Sequence, residues 1–154
     1  QKANAPIVAM THCESAKIED TTTFGKAGEG ILCAGQWAPE LTYQDGYFGT
    51  AMDYTKTFEK VYGYTPPYQA AESSASVLVY ADAITRAGSF DTVKVRDALA
   101  ATDMQTFYGN VKFAPTGQNI AKPMVLRQLQ NGKYKLVAPS KWADTPLSFP
   151  RMAQ

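Results

Sequence analysis

Two short apolar runs, bounded by proline, glycine or polar residues, occur near the start of the chain. They span residues 7–10 and 30–35, and runs of this kind are typical of buried β-strands. Because a short crossover joins them, we expect the two strands to be parallel neighbours in one sheet.

Three segments in the middle of the chain have apolar residues at helical spacing. The predicted helices span residues 47–62, 68–87 and 92–101. Gly63 and Gly88 are natural stops for the first two helices, and residues 89–91 can cap the third. The stripes predicted to face the core are Phe48, Met52, Thr55, Phe58 and Val61 or Tyr62 in the first helix, and Ala71, Ser74, Val77 or Leu78, Ala81 and Ile84 in the second.

The last third of the chain has the patterns of strands and turns. Residues 107–113 alternate between two faces, which predicts a half-buried strand with Tyr108 on the outer face. Asn131 and Gly132 separate two further strand-like runs, residues 124–130 and 133–137, and this dipeptide predicts a β-hairpin. The tail from Pro139 onward is rich in proline and is predicted to be irregular. The order of elements predicts an α/β fold.

Charge and length narrow the classes of function. The 154 residues include 15 Lys and Arg against 14 Asp and Glu, a net charge of +1, so we expect no nucleic-acid partner. No apolar stretch approaches the roughly 18 residues that span a bilayer. The sequence opens at Gln1 without a visible signal segment, and we interpret it as a processed chain or as a piece of a longer one.

A polar group follows the first predicted strand, at the edge where open parallel sheets bind ligands. It consists of Thr11, His12, Cys13 and Glu14. Three interpretations stay open: a Cys–His nucleophile pair, a ligand-contacting loop, and a purely structural loop. Neighbouring side chains rarely bond well to one another, which disfavours both a His12–Cys13 dyad and a metal site. No catalytic or phosphate-binding motif is present, so we predict no catalytic residue, no metal and no cofactor.

Two aromatic residues stand at positions where a ligand could be contacted. Trp37 directly follows the second predicted strand and is either a hydrophobic plug or the wall of a pocket. Tyr68 begins the strongest predicted helix, where it either fixes the entry of the chain or packs on a ligand. A helix N-terminus there favours an anionic group such as a carboxylate. Glu72, one turn later, either meets an ammonium group or is simply solvated.

Several short motifs stand in a fixed order from about residue 6 to residue 142. They are GEGIL at 28–32 with QW at 36–37, PYQAAE at 67–72, YADAI at 80–84, AGS at 87–89, FYGNVKF at 107–113, GQN at 117–119 and MVLRQLQNGKY at 124–134. In order and spacing this set resembles the solute-binding proteins of ABC transporters for branched-chain amino acids.

The resemblance implies a type I periplasmic-binding-protein-like fold, with two Rossmann-like lobes that have parallel sheets and are joined by three crossing strands. It places residues 1–36 in the second lobe and residues 38–123 in the first lobe. Residues 124–154 then cross back and form a second-lobe hairpin and tail, with crossings near Trp37 and Met124. It also implies that the N-terminal half of the protein is missing from this sequence.

The resemblance further implies a periplasmic or lipid-anchored protein that closes on a small molecule and delivers it to a membrane permease. In the family, an acidic residue after the first of these strands often meets the ligand's ammonium group, whereas this chain has His12 there. We therefore expect a carboxylate-bearing, amide or aromatic ligand in place of a plain branched-chain amino acid. The ligand-binding residues implied or suggested are Thr11, His12, Cys13, Trp37, Tyr68 and Gln69.

Two alternatives to solute transport stay open at this point. The same fold serves ligand-sensing domains of receptors, and Cys13 is a candidate nucleophile for a cysteine-dependent enzyme. A disulfide between Cys13 and Cys33, the two cysteines of the chain, is a further possibility in an oxidising compartment. Such a bond would argue against the enzyme.

Overall fold

The computed structural model describes residues 5–11 and 25–151, and the chain divides into two compact units. We call them the sheet unit, formed by the described residues of Gln1–Glu40 and Met124–Gln154, and the helical unit, Leu41–Pro123. Each unit is described by itself.

A four-stranded mixed sheet forms the sheet unit, with strand order β1-β2-β7-β8. Strand β1 (Ala9–Met10) pairs in parallel with β2 (Leu32–Gly35), and Met10 lies opposite Cys33. The predicted parallel pair is therefore confirmed, but the prediction that its first strand is buried is wrong, because both residues of β1 are exposed. Strand β7 (Val125–Gln130) is antiparallel to both β2 and β8 (Lys133–Ala138), so a segment from the end of the chain completes a sheet begun by its first residues.

The predicted hairpin of β7 and β8 is also confirmed. Asn131 and Gly132 both have positive φ, 54° and 73°, as a two-residue hairpin turn requires. The carboxylate of Glu29 accepts hydrogen bonds from the N–H groups of both residues, at 3.0 and 2.7 Å. The core under this hairpin contains Cys33, Leu129, Tyr134 and the partly buried Ile31.

The tail after β8 is irregular, as its proline content predicts. A buried amide holds it on the sheet: Gln128 is 1 % exposed, and its Nε2 donates to the carbonyls of Gly30 and Ser148. The N–H of Ser148 returns a hydrogen bond to the Gln128 carbonyl at 2.8 Å. These hydrogen bonds satisfy polar groups that are buried away from water. They attach the tail to the sheet although the tail has no regular secondary structure.

Three helices dominate the helical unit: α1 (Ala51–Tyr62), α2 (Tyr68–Ala87) and α3 (Thr92–Ala100). The bounds of α2 agree with the prediction, and α3 ends one residue earlier than predicted. Helix α1 begins four residues later than predicted, because a small hairpin of β3 (Gln44–Asp45) and β4 (Gly49–Thr50) precedes it. Thr50 and Asp53 then form a capping box that fixes the first turn of α1.

The predicted core stripes of the first two helices are only partly correct. In α2 the buried residues are Ala71, Ala75, Val79 and Ala83, whereas Val77 is 68 % exposed. In α1 the buried residues are Ala51, Tyr54 and Thr55, and Met52, Val61 and Tyr62 are exposed. The predicted stripe of α2 included Ser74, Val77 and Ala81, none of which is buried. The packed face of α2 instead repeats small residues at every fourth position, which lets neighbouring elements approach closely.

The prediction of one continuous strand over residues 107–113 is correct only for residues 109–112. The segment belongs to a hairpin of β5 (Asp103–Thr106) and β6 (Gly109–Lys112), and Phe107 and Tyr108 form its turn. The Thr106 hydroxyl oxygen accepts from the N–H groups of Tyr108 and Gly109 at 3.2 and 3.3 Å. These local hydrogen bonds to the Thr106 side chain favour a turn over a continued strand. The alternation of apolar and polar residues gives no sign of them.

Candidate functional site

Two of the predicted ligand contacts follow the parallel strands of the sheet unit. Thr11 comes directly after β1 and is exposed, and Trp37 comes two residues after β2 and is 1 % exposed. Because β1 and β2 are parallel, both residues lie at the same edge of the sheet, the carboxyl edge. Thr11 is therefore accessible to solvent at this edge, whereas Trp37 is part of the core.

Two other predicted contacts, His12 and Cys13, lie outside the described residues. The structure does report on the cysteine chemistry, because Cys33 is fully buried and disulfide-bonded. The sequence contains one other cysteine, Cys13. A sulfur in a disulfide is not a thiolate, so Cys33 itself is not a nucleophile.

An ion pair in the sheet unit was not predicted from the sequence. Arg127 on β7 lies beside Cys33 on β2, and its Nη2 is 3.7 Å from a carboxylate oxygen of Glu40. The same nitrogen donates to the carbonyl of Tyr134 at 3.1 Å. The Arg127 side chain is 12 % exposed and that of Glu40 is 27 % exposed, so the pair is largely withdrawn from water. Their wide separation along the chain gave no local signal.

In the helical unit, Tyr68 and Gln69 are the first two residues of α2, and both are half-buried. Pro67 is the N-cap and provides no side-chain hydrogen bond, and the first turn contains no acidic residue. The partial positive charge at this helix end is therefore not offset by a carboxylate of the first turn, which suits an anionic ligand group. Glu72, one turn later, is exposed.

A cavity of about 300 Å³ lies within the helical unit and was also not predicted. Tyr108 lines it, and this residue is 7 % exposed although the sequence pattern placed it on an outer strand face. Its hydroxyl is buried and has no hydrogen-bond partner within the part of the chain that the structure describes. The other lining residues are Glu72, Ala75, Ser76, Val79, Tyr80, Leu99, Val111, Phe113 and Asn119.

The charges near this cavity are arranged around the Tyr108 ring. The ammonium of Lys122 lies 4.3 Å from the ring centroid. Burial lowers the pKa of Lys122 to about 8, and the carboxylate of Glu72 partly opposes that shift. Burial also raises the pKa of Tyr108 well above its ordinary value, and Glu72 and Tyr68 add to this effect. The phenol is therefore a hydrogen-bond donor at every ordinary pH.

Among residues 5–11 and 25–151, no three His, Cys, Asp or Glu side chains are grouped so that they could hold a metal ion. None of the helices in these ranges is both long enough and apolar enough to cross a membrane.

Residues 5–133 match the family described as periplasmic binding protein. Among solved structures, a leucine-binding protein from Thermotoga maritima is 25% identical, with a TM-score of 0.66 over 79% of this chain and 33% of that one. A putative branched-chain amino acid ABC transporter protein from Silicibacter pomeroyi is 19% identical, with a TM-score of 0.72 over 97% and 41%.

A branched-chain amino acid transporter substrate-binding protein from Streptococcus pneumoniae, solved in complex with isoleucine, is 18% identical. Its TM-score is 0.63, and the match covers 90% of this chain and 46% of that one. The chain therefore spans less than half the length of each of these three proteins.

Proposed function

Since the chain belongs to the periplasmic binding protein family, we propose that it is part of an extracytoplasmic solute-binding protein that delivers a small molecule to an ABC importer. The family match over residues 5–133 carries this proposal, because it extends through residues of both units. The family and the type I periplasmic-binding-protein-like fold expected from the motifs are confirmed by this match and by the structural likeness. The family and these fold relatives are non-enzymatic binding proteins, and we propose no catalytic role.

We assign the sheet unit to the second lobe of such a protein and the helical unit to the first lobe. The boundaries between the units, after Glu40 and after Pro123, support this assignment. They fall close to Trp37 and Met124, where the resemblance places the crossings. We further propose that residues outside this sequence complete each lobe.

The ligand we propose is an amino acid or a related carboxylate, amide or aromatic acid. The leucine-binding protein of T. maritima and the isoleucine complex of the S. pneumoniae protein support an amino-acid ligand. By resemblance to the family, His12 stands where an acidic residue often meets the ligand's ammonium group. This difference favours a carboxylate-bearing, amide or aromatic ligand over a plain branched-chain amino acid. The proposed contacts are Thr11, His12, Cys13, Trp37, Tyr68 and Gln69.

Capture would proceed by closure of the lobes on the ligand. A ligand that makes contacts in the closed state that are absent in the open state shifts the population toward closure by its differential affinity. The closed state would then be recognised by the permease of the importer.

The test is isothermal titration calorimetry on the full-length protein with a panel of amino acids, amides and aromatic acids. We expect saturable binding of at least one member, with one ligand per molecule. Absence of binding across the whole panel would overturn the transport proposal.

A further inference from the structure

The cavity beside Tyr108 combines features that sequence motifs did not predict. Glu72 at its edge lies one turn beyond Tyr68, a proposed ligand contact, and both residues are close enough to Tyr108 to influence its ionisation. Its volume of about 300 Å³ is at the lower end of the range found for small-molecule sites. It therefore has room for the side chain of a ligand whose remainder is held at the start of α2.

Tyr108 is the one polar group in this cavity that points to a particular ligand chemistry. Its side chain is more than nine-tenths buried, and the described residues leave its hydroxyl without a partner. Buried polar groups in native proteins nearly always have partners, so this hydroxyl calls for one. Because the phenol stays protonated, its O–H can donate to an acceptor oxygen, which would satisfy it.

The surrounding charges and walls restrict that acceptor further. The carboxylate of Glu72 and the ammonium of Lys122, which is 4.3 Å from the Tyr108 ring centroid, have opposite charges, so together they favour neither an anionic nor a cationic group in the cavity. The other walls are mainly apolar, with Val79, Leu99 and Val111 among them. An uncharged side chain that is apolar along its length and ends in an oxygen fits these conditions.

We propose that this cavity receives the side chain of the transported ligand, and that the Tyr108 hydroxyl selects an uncharged side chain carrying an acceptor oxygen, such as a phenol or an amide. The inference rests on the proposed function, since it assigns a specificity-determining residue to the same ligand.

The experiment measures the affinity of the full-length protein for two ligand pairs that differ in the acceptor oxygen: tyrosine with phenylalanine, and glutamine with methionine. We expect the wild-type protein to prefer the oxygen-bearing member of at least one pair by about tenfold. The Tyr108→Phe variant keeps the ring under Lys122 but removes the donor, and its preference should fall to about onefold.

Tyr54→Phe is the matched control. The Tyr54 hydroxyl is hydrogen-bonded to Ser74 at 3.0 Å in the same unit, and this residue does not line the cavity. The variant also loses one phenolic hydroxyl, but it should keep the wild-type preference. A second variant, Ala75→Leu, narrows the cavity and leaves the Tyr108 hydroxyl in place. It should lower the affinity for amino acids with larger side chains but not the affinity for free alanine.

The possible failures can be told apart. If the wild-type protein binds no amino acid at all, the proposed function fails and this inference fails with it. If it binds amino acids but shows no preference for an oxygen-bearing side chain, or if Tyr108→Phe keeps that preference, only the role of Tyr108 is overturned. The same holds if a structure of the full-length protein shows one of its own side chains filling the cavity.

Discussion

Asp45 shows how one side chain can determine the course of the chain around it. One of its carboxylate oxygens accepts from the N–H groups of Tyr47 and Phe48 at 2.9 and 2.7 Å, and the other accepts from Phe107 at 2.7 Å. The residue therefore joins the turn before α1 to the turn between β5 and β6. Neither turn has regular secondary structure to satisfy these donors, so the carboxylate does it.

We predict that Asp45→Ala lowers the free energy of unfolding by about 2–3 kcal/mol, because three N–H groups lose a charged acceptor. Chemical denaturation of the full-length protein measures this change. Asp97→Ala, which changes a carboxylate on the exposed surface of α3, is the control and should change stability by no more than about 0.5 kcal/mol. Equal stabilities of the two variants would contradict the prediction.

Lys122 predicts a dependence of stability on pH. Burial lowers its pKa in the folded protein to about 8 from a reference value of 10.5, and the groups near it include Glu72 and Tyr108. Between these two pH values the unfolded chain binds more protons, so the contribution of Lys122 to stability rises with pH. Below about pH 8 Lys122 is charged in both the folded and the unfolded protein, so the whole cost of burying its ammonium lowers the free energy of unfolding.

Lys122→Met should therefore raise the free energy of unfolding at pH 7, and this gain should shrink as the pH approaches 10. Urea denaturation of the full-length wild type and variant at pH 7, 8, 9 and 9.5 measures the gain directly. A gain that is the same at all four values would show that the ammonium is not destabilised by burial.

At the scale of elements, the helices begin and end where local signals place them. Pro67 and Gly88 bound α2, and Gly88 has the left-handed φ of 57° that suits a helix end. Asp91 caps α3 through the N–H groups of Val93 and Lys94. Helix α1 was predicted to start too early because the apolar Phe48 lies in a turn held by Asp45, which a helical count of apolar residues does not detect.

The start of α1 gives a prediction of its own. Thr50 accepts from the N–H of Asp53, and Asp53 accepts from the N–H of Thr50. Thr50→Ala should lower the free energy of unfolding by about 1 kcal/mol, because it removes the cap. Thr57→Ala, an exposed position in the middle of the same helix, should be neutral or slightly stabilising, because alanine has the higher helix propensity. Thermal denaturation of both variants compares them, and a Thr57→Ala loss as large as that of Thr50→Ala would argue against the cap.

At the scale of the whole molecule, the main observation is that the chain covers 33% to 46% of the three related structures described above. Solute capture is therefore a proposal about the full-length protein, in which two complete lobes would close on the ligand.

We predict that a saturating ligand reduces the radius of gyration of the full-length protein, because closure brings the lobes together. Small-angle X-ray scattering with and without the ligand identified by calorimetry measures this change, and an amino acid that calorimetry shows not to bind is the control. Binding without any change in the radius of gyration would count against closure.

Local signals in the sequence were enough for α2, which proline and glycine bound, for α3, which Asp91 caps, and for the β7–β8 hairpin, which Asn-Gly turns. The order of short motifs was enough for the family and the fold class. These inferences succeed because turn geometry and helix ends depend on residues within a few positions of each other. The proposed site residues stay predictions, and His12 and Cys13 lie outside the described part of the chain.

Only the tertiary structure decided which distant segments meet. The pairing of β2 with β7, the disulfide of Cys33, the Glu40–Arg127 ion pair and the burial of Tyr108 all depend on contacts between residues far apart in sequence. No local propensity encodes such contacts, because they follow from how whole elements pack. The sequence by itself therefore identified the kind of protein, whereas the fold revealed the cavity from which we infer what its ligand carries.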